Sequence, residues 1–550
     1  MATKTWLKNY PKGVSDEINP DNNESVLEFY EDCIDKYKDM PAYVNMGKTL
    51  TFRQVDEYAT SFAAYIQNKT NLKKGDRIAI QMPNLLQFPI AMFGAIKAGL
   101  VVVNTNPLYT EREMEHQFKD AKIKGIVILS NFASKLEAIK KNTGIETVIV
   151  ANIGDMLGFK GYIVNFVVKN IKKMVPPYHL DGAISFKEVL NQGKGQSYSR
   201  PKLTGSDICY LQYTGGTTGI SKGAMLTHRN ILANMEQIYE WFKPVLRDKQ
   251  ETVITALPLY HIFALTANCL AMLKYGAKNV LITNPRDMPA FIKELKKTPF
   301  TLMTGVNTLF NGLLNQPDFH NVDFSNFKLA VGGGMAVQKA VAERWEKVTG
   351  TKLAEGYGLT ETSPVVACNP VDGTMKIGSI GLPLPSTELK IMDDDGNEVP
   401  VNEPGEIWVK GPQVMAGYWE KPEDTKNVME GEWLKTGDVG TVNEEGFFRI
   451  VDRKKEMILV SGFNVYPNEV EDVIGQHPKV LEVGVKGMPD EKTTEAVKAF
   501  VVKKDPSLTA DELKAHCKKS LTSYKVPKEI VFRDELPKSN VGKILRRLME

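Results

Sequence analysis

The chain has 550 residues, 42% hydrophobic and 25% charged, a balance that suits a globular protein and excludes disordered, collagen-like or low-complexity chains. At roughly 100–200 residues per domain, two or more domains are expected. Lys and Arg number 69 against 66 Asp and Glu, a net charge of +3, so the overall charge makes no case for nucleic-acid binding.

The N-terminal stretch MATKTWLKNYPKGVSDEINPDN lacks the apolar core of a secretory signal. No run of about 18 apolar residues offers a transmembrane helix. Cys33, Cys209, Cys269, Cys368 and Cys517 contain no C-x-x-C pair, so neither a zinc site nor a disulfide framework is expected, and a reducing compartment fits. A cytoplasmic location follows, with peripheral contact on the inner face of the membrane as an extension of it.

Between residues 77 and 150, apolar runs at Arg77–Gln81, Val101–Val103 and Gly125–Leu129 predict strands. Residues 156–178, MLGFKGYIVNFVVKNIKKMVPPY, are apolar and end in Lys169, Lys172 and Lys173. They read either as an interfacial helix or as a packed helix with a solvated end. From about 205 to 356, runs at Ile208–Tyr213, Val253–Leu257, Asn279–Ile282, Phe300–Met303 and Leu329–Val331 alternate with helical periods. One such helix starts at the N-cap Asp287, with Met288, Phe291, Ile292 and Leu295 on one stripe. Another carries Val337, Val341, Trp345 and Val348. Strands alternating with amphipathic helices predict βαβ units and a mostly parallel sheet, and the two stretches suggest two α/β subdomains. Residues 388–451 read as short strands broken by turns. The charged stretch Asp452–Glu456 then leads into an α+β tail in which Thr509 and Glu512 form a capping-box pattern.

The stretch most suited to chemistry is Tyr213–His228, YTGGTTGISKGAMLTH, directly after a predicted strand. Its glycines let backbone N–H groups approach a ligand, its threonines add donors and Lys222 adds a point charge. This is what a polyphosphate cradle requires. A Walker A loop does not fit, because Lys222 follows Ser221 rather than preceding it.

Three further motifs follow in order: EGYGLTETSP at Glu355–Pro364, TGD at Thr436–Asp438 and PKSNVGKILRR at Pro537–Arg547. With the threonine-glycine loop they resemble the adenylate-forming superfamily of acyl-CoA synthetases, adenylation domains and luciferases. Within it the chain is most similar to bacterial long-chain fatty acid–CoA ligases, from near residue 25 to the C-terminus. The resemblance implies a large N-terminal adenylation domain, 1–451, made of two α/β subdomains and a small β-rich one. A mobile α+β C-terminal domain, 452–550, would carry the catalytic lysine. It implies ATP, Mg²⁺ and coenzyme A, and a reaction in which a carboxylate forms acyl-AMP and pyrophosphate before the thiol displaces AMP.

By the same resemblance, Tyr213, Thr214, Gly215, Gly216, Thr217, Thr218, Gly219, Ile220, Ser221, Lys222, Gly223 and Ala224 form the phosphate loop. Thr360 and Glu361 serve catalysis, and Glu361 with Thr214 binds the metal. Gly332, Gly333, Glu355, Gly356 and Tyr357 flank the nucleotide, and Asp438 with Arg453 holds the ribose. Lys543 is the catalytic lysine. His261, Phe263, Leu265, Val306, Leu309 and Gly334 line the acyl pocket, with His261 beside the carboxylate. A tryptophan gate found in some long-chain members is replaced here by Leu265. Asp452 is the hinge, and Ser461, Gly462 and Phe463 form the face presented for the thiol step. The partners implied are a long-chain fatty acid, ATP and coenzyme A, with reversible contact at an anionic membrane surface and a homodimer as further expectations. A medium-chain or aryl acid–CoA ligase and a non-catalytic membrane-associated fatty-acid carrier are the alternatives.

Overall fold

The structure is a computed structural model that describes residues 4–214, 221–490, 492–539 and 542–550. The valine- and isoleucine-rich runs Arg77–Gln81, Val101–Asn104 and Ile123–Leu129 form parallel strands. They sit in a seven-stranded sheet in the order 184–185, 147–151, 123–129, 77–81, 101–104, 208–213, 223–227. Continuous apolar runs of this kind suit strands covered on both faces. Helices Phe52–Lys69 and Glu111–Asp120 each open with a complete capping box, at Thr51 and Thr110.

The strand Ile208–Tyr213 belongs to this first sheet, through Val102↔Tyr210 and a hairpin with Gly223–Thr227. The boundary expected near residue 205 therefore falls later. An apolar run buried on both sides does not specify its neighbour, and here the pairing partner lies about a hundred residues earlier.

The second sheet has nine strands in the order 382–383, 365–368, 353–358, 329–332, 302–305, 252–255, 278–281, 41–45, 48–51. Its central strands are parallel. Asp287 caps Met288–Leu295 by accepting from the Ala290 N–H at 3.1 Å. Trp345, on Lys339–Thr349, is fully buried against Phe310 and Phe319. One hydrophobic core runs between the two sheets, from Tyr30, Phe62 and Phe93 through Leu257 to Trp345.

The expected β-rich unit is an antiparallel five-stranded sheet built on Gly405–Lys410, Trp433–Val442 and Phe448–Arg453 with shorter partners. The tail forms a second five-stranded sheet with Pro467–Gly475 and Ala510–Cys517 packed on it. It has its own core around Val465, Ile474, Val485, Val501 and Leu513. Thr509 caps the last helix through the Glu512 N–H, while the Glu512 carboxylate pairs with Lys479 instead of closing the box. No helix among the described residues is long and apolar enough to cross a membrane.

Helix Asn307–Leu314 docks the tail on the second sheet. Thr308 Oγ1 donates to the Gly542 carbonyl at 3.0 Å, and Asn311 Nδ2 donates to the Leu481 carbonyl at 3.1 Å. Gly542 has φ +84, and a Cβ there would sit 2.6 Å from Thr308 Oγ1. A side chain at this position is opposed by backbone conformation and by a hydrogen-bonded neighbour together. Gly542→Ala is expected to loosen this contact by about 1–2 kcal/mol. Hydrogen exchange of residues 538–549 should then speed up several-fold, with the melting temperature of the large core unchanged.

Candidate active site

The two sheets, the antiparallel unit and the tail meet around a cavity of about 1930 Å³. Its floor is made where the parallel strands of the second sheet end: Thr304 and Val306, Gly333 and Gly334, Gly356 to Gly358. Clefts outside the carboxyl ends of parallel strands are the usual binding places of open α/β sheets.

Tyr357 leaves its strand with its hydroxyl donating to Asp438 Oδ2 at 2.7 Å. Across the hairpin register Asp438 faces Arg453, whose Nε reaches Asp438 Oδ1 at 3.1 Å. Asp438 is almost fully buried. Burial raises the Tyr357 phenol well above its usual range and the Asp438 charge adds to that, so Tyr357 stays a donor. Arg453 is half-buried, and Asp438 and Glu456 hold its cation.

Glu361 lies in the short turn Thr360–Thr362 and accepts from the Tyr418 hydroxyl at 2.7 Å. Burial pushes its carboxyl up. Lys222 lies 5.4 Å from the Tyr418 ring centre and donates to Asp424 at 2.5 Å. The Lys222 carbonyl accepts from the Thr214 N–H at 3.0 Å, which closes the base of the threonine-glycine loop. Gly215, Gly216, Thr217, Thr218, Gly219 and Ile220 lie outside the described residues. Among the described residues no group of three or more His, Cys, Asp or Glu could hold a metal by itself. A single half-buried carboxylate in the cavity wall, that of Glu361, still fits Mg²⁺, which binds through one or two carboxylates plus substrate phosphates.

Lys543 enters the cavity from the tail. Burial lowers its pKa to about 8, and Arg453 adds to the shift. His261 also lines the cavity, and its Nδ1 accepts from the Phe263 N–H at 3.3 Å. Burial and the charge of Lys543 lower its pKa to about 4, so it is neutral at pH 7. Three residues beyond Lys543, Arg546 donates to Glu471 at 2.9 and 2.7 Å, to Asp452 at 3.2 Å, to Asn468 at 2.5 Å and also to Glu456.

Of the candidates drawn from the sequence, the cavity brings together Tyr213, Thr214, Ser221, Lys222, His261, Phe263, Val306, Gly333, Gly334, Gly356, Tyr357, Thr360, Glu361, Arg453 and Lys543. Others stand behind its wall. Leu265 and Leu309 are buried in the main core and do not line it. Ala267 lies four residues beyond Phe263 and shares its face toward the cavity, whereas Leu265, two residues on, turns into the core. Gly332 lies within its strand, and Glu355 is buried behind it, accepting from the Val337 N–H at 3.2 Å; burial pushes its carboxyl up to about 8. Gly223 and Ala224 pair with the segment around Tyr418, and so position that tyrosine rather than face the cavity. Asp452 is fully buried near the end of Phe448–Arg453, accepting from the Asn468 N–H at 2.7 Å. Ser461 and Gly462 form an exposed hairpin turn with positive φ, and Phe463 stacks on Tyr524 at 5.0 Å. This turn lies away from the cavity lining.

The sequence reading missed Tyr418 and Asp424, which occupy Glu361 and Lys222, and the apolar arm lined by Ile238, Trp241, Phe242, Ala267 and Val331. Trp241 and Phe242 end helix His228–Phe242 at ordinary core spacing, which carries no sign of a ligand.

Residues 30–419 match the model of the AMP-binding enzyme family, and residues 469–543 match that of the AMP-binding enzyme C-terminal domain. A long-chain-fatty-acid–CoA ligase of Escherichia coli O6:H1 is 58% identical over 545 residues, covering 99% of this chain and 97% of its own. The Bacillus subtilis protein of the same name is 41% identical, covering 100% and 98%. The crystal structure of an anthranilate CoA ligase in complex with anthranoyl-AMP superposes with a TM-score of 0.86 at 25% identity, over 96% of this chain and 98% of that one. ATP-bound MatB from Rhodopseudomonas palustris gives a TM-score of 0.77 at 26% identity, over 96% and 98%. A family match from one sheet to the other and again in the tail, with relatives aligned nearly end to end, makes this chain a member of the AMP-binding enzyme family.

Proposed function

We propose that this chain is an ATP-dependent long-chain fatty acid–CoA ligase. The observation that carries the proposal is one cavity that joins the half-buried Lys543, a tyrosine and an arginine held by Asp438 behind the wall, the lysine-bearing base of a phosphate loop and an apolar arm. In the first half-reaction a fatty-acid carboxylate oxygen attacks the α-phosphorus of ATP. The new O–P bond gives acyl-AMP, and pyrophosphate leaves with the electrons of the broken bond. In the second, the thiolate sulfur of coenzyme A attacks the acyl carbon and AMP departs.

The residue roles are part of the proposal. Asp438 accepts from the ribose hydroxyls, oriented by Tyr357 and Arg453. Lys222 exchanges Asp424 for the β- and γ-phosphates, aided by Thr214, Thr217 and Thr218. The carboxylate of Glu361, with Thr214 and Thr360 nearby, would hold Mg²⁺, which offsets phosphate charge when bound. The narrow passage at Gly333, where a Cβ would lie 3.1 Å from the Gly356 carbonyl and from Phe263, suits a flat nucleotide base and the start of the acyl chain. The alkyl chain takes the arm past Phe263 and Val306 toward Ala267 and Trp241. Neutral His261 stands beside the carboxylate without adding charge. Lys543 bridges the two anions, whose approach is otherwise repulsive, and stabilises the charge gathered at phosphorus.

The two half-reactions need different groups at one place. Residues 1–451 and 452–550 act as two bodies that pivot at Asp452, exchanging Lys543 for the Ser461–Phe463 turn. The reading extends to a cytoplasmic enzyme in reversible contact with an anionic membrane surface, and to a homodimer, which sedimentation equilibrium tests. An aryl acid is the weaker reading, because relatives 41–58% identical over nearly the whole chain carry the long-chain-fatty-acid–CoA ligase name.

Lys543→Ala should lower acyl-AMP formation by about 10²–10³, the scale of removing one preorganised transition-state donor. Thioester formation from supplied acyl-AMP should be spared, and equal loss in both half-reactions would defeat the assignment. In the wild-type protein kcat/KM for pyrophosphate release should fall above pH about 8, where Lys543 loses its proton. The ammonium is present below that pH, and Lys543→Ala should lack this limb. Glu361→Gln should raise the Mg²⁺ concentration needed for half-maximal adenylation with the melting temperature little changed; the same Mg²⁺ titration as wild type would remove Glu361 from the metal site.

A further inference from the structure

Residues 156–178 form a helix, Phe159–Phe166, continued by a π-turn, Val167–Ile171. Phe159, Tyr162, Ile163 and Phe166 fall at helical spacing on one stripe. That stripe faces outward. Phe159 is 82% exposed, and Tyr162, Ile163, Phe166, Ile171 and Met174 are all more than half exposed.

The inner face explains why. Gly161 packs on Gly154 so closely that a Cβ would lie 1.9 Å from the Gly154 carbonyl oxygen. Asn165, one turn on, accepts from the Gly154 N–H at 2.7 Å and donates to Asp155 at 3.2 Å. Small and polar groups thus point inward and aromatic ones outward, the reverse of a helix on an ordinary core. Rotating the helix would break these hydrogen bonds and drive side chains into the Gly154 backbone, so the apolar stripe is held outward.

Charge accompanies the stripe. Lys169, Lys172 and Lys173 are exposed, and no Asp or Glu occurs between Met156 and Tyr178. Aromatic and aliphatic groups beside a lysine cluster complement an acyl layer under anionic headgroups. We propose that the outward face of Phe159–Met174 is the surface by which this protein docks reversibly on a bilayer containing anionic lipid. The proposal rests on the ligase reading only for its purpose, since a long-chain acid partitions into bilayers and would be met there. The surface itself is argued from geometry and charge.

The test is flotation of the full chain with phosphatidylcholine vesicles, with and without phosphatidylglycerol, at low and moderate salt. Two variants are compared: Phe159→Ser/Ile163→Ser/Phe166→Ser and Lys169→Glu/Lys172→Glu/Lys173→Glu. All six positions are solvent-facing, and unchanged activity on detergent-solubilised oleate certifies the fold. Wild-type binding should require phosphatidylglycerol and weaken with salt, and each variant should bind roughly tenfold less. Undiminished binding in both variants, or equal binding to phosphatidylcholine alone, overturns the proposal. So does a wild-type dimer that the serine variant dissolves in sedimentation, which would make the stripe an interface between copies. A wild-type protein that floats as expected but forms no acyl-AMP from oleate would defeat the ligase reading and leave the docking surface standing.

Discussion

The site depends on holding the half-buried ammonium of Lys543 beside other cations, and the means is Arg546. Its guanidinium has five N–H donors, and the structure pairs it with Glu471, Asp452, Glu456 and Asn468. Burial opposes that cation, and the surrounding carboxylates outweigh it. Breaking a buried set of this kind by removing one partner typically costs about 3–5 kcal/mol, so the loop carrying Lys543 is firmly held on the tail. Every partner lies between 452 and 471. Glu456, Asn468 and Glu471 belong to the tail, while Asp452 ends a strand paired with Val439, so the cluster reaches to the proposed pivot, and the hydrogen bonds to Thr308 and Asn311 are among the contacts that a turn of the tail would release.

The cavity's charged groups already have protein partners: Lys222 has Asp424, Asp438 has Tyr357 and Arg453, and Glu361 has Tyr418. A bare carboxylate or ammonium in so buried a place would be neutralised or strongly destabilising. The internal pairs remove that cost without a ligand. They also make binding an exchange, in which a polyphosphate must offer Lys222 more than one carboxylate does. Three phosphates and a metal can do so, and a lone carboxylic acid cannot, which favours nucleotide as the anchor for the second substrate.

Strands were legible at several continuous apolar runs, as at 77–81, 123–129 and 208–213, though not at Thr147–Ala151, and caps were legible at Asp287 and Thr509. Which sheet a strand joins was not, because a run buried on both faces looks the same from every neighbour; Ile208–Tyr213 is the instance. The polar lining of the cavity was legible, since Lys222, Glu361 and Lys543 stand in motifs of rare residue types in fixed order and all line it, with Asp438 behind Tyr357. The apolar half was not. A side chain lining an alkyl arm is of the same type as one filling a core, and only the orientation of the helix shows that Phe263 and Ala267 line the cavity and Leu265 does not. Residues 156–178 are apolar enough for a core, and the decisive fact, that Gly161 and Asn165 take the inner face, is a matter of fit to Gly154.

The lowered pKa of Lys543 links these features to the order of events. In the cavity without anions, burial and Arg453 together bring its proton affinity to about 8, near the working range. Two anions reverse the balance, because opposite charges within a few ångströms favour the ammonium. Carboxylate and triphosphate therefore strengthen the cation that their own reaction needs. Once acyl-AMP has formed and pyrophosphate has left, much of that negative charge is gone, and the attraction holding Lys543 over the nucleotide weakens with it. The hydrogen bonds to Thr308 and Asn311 then remain beside the pairs of Arg453 and Lys454 near the pivot. On the proposed reading, loss of pyrophosphate weakens the hold of Lys543 and favours departure of the tail, so the lysine proposed to serve the first half-reaction is the group whose hold the first product releases.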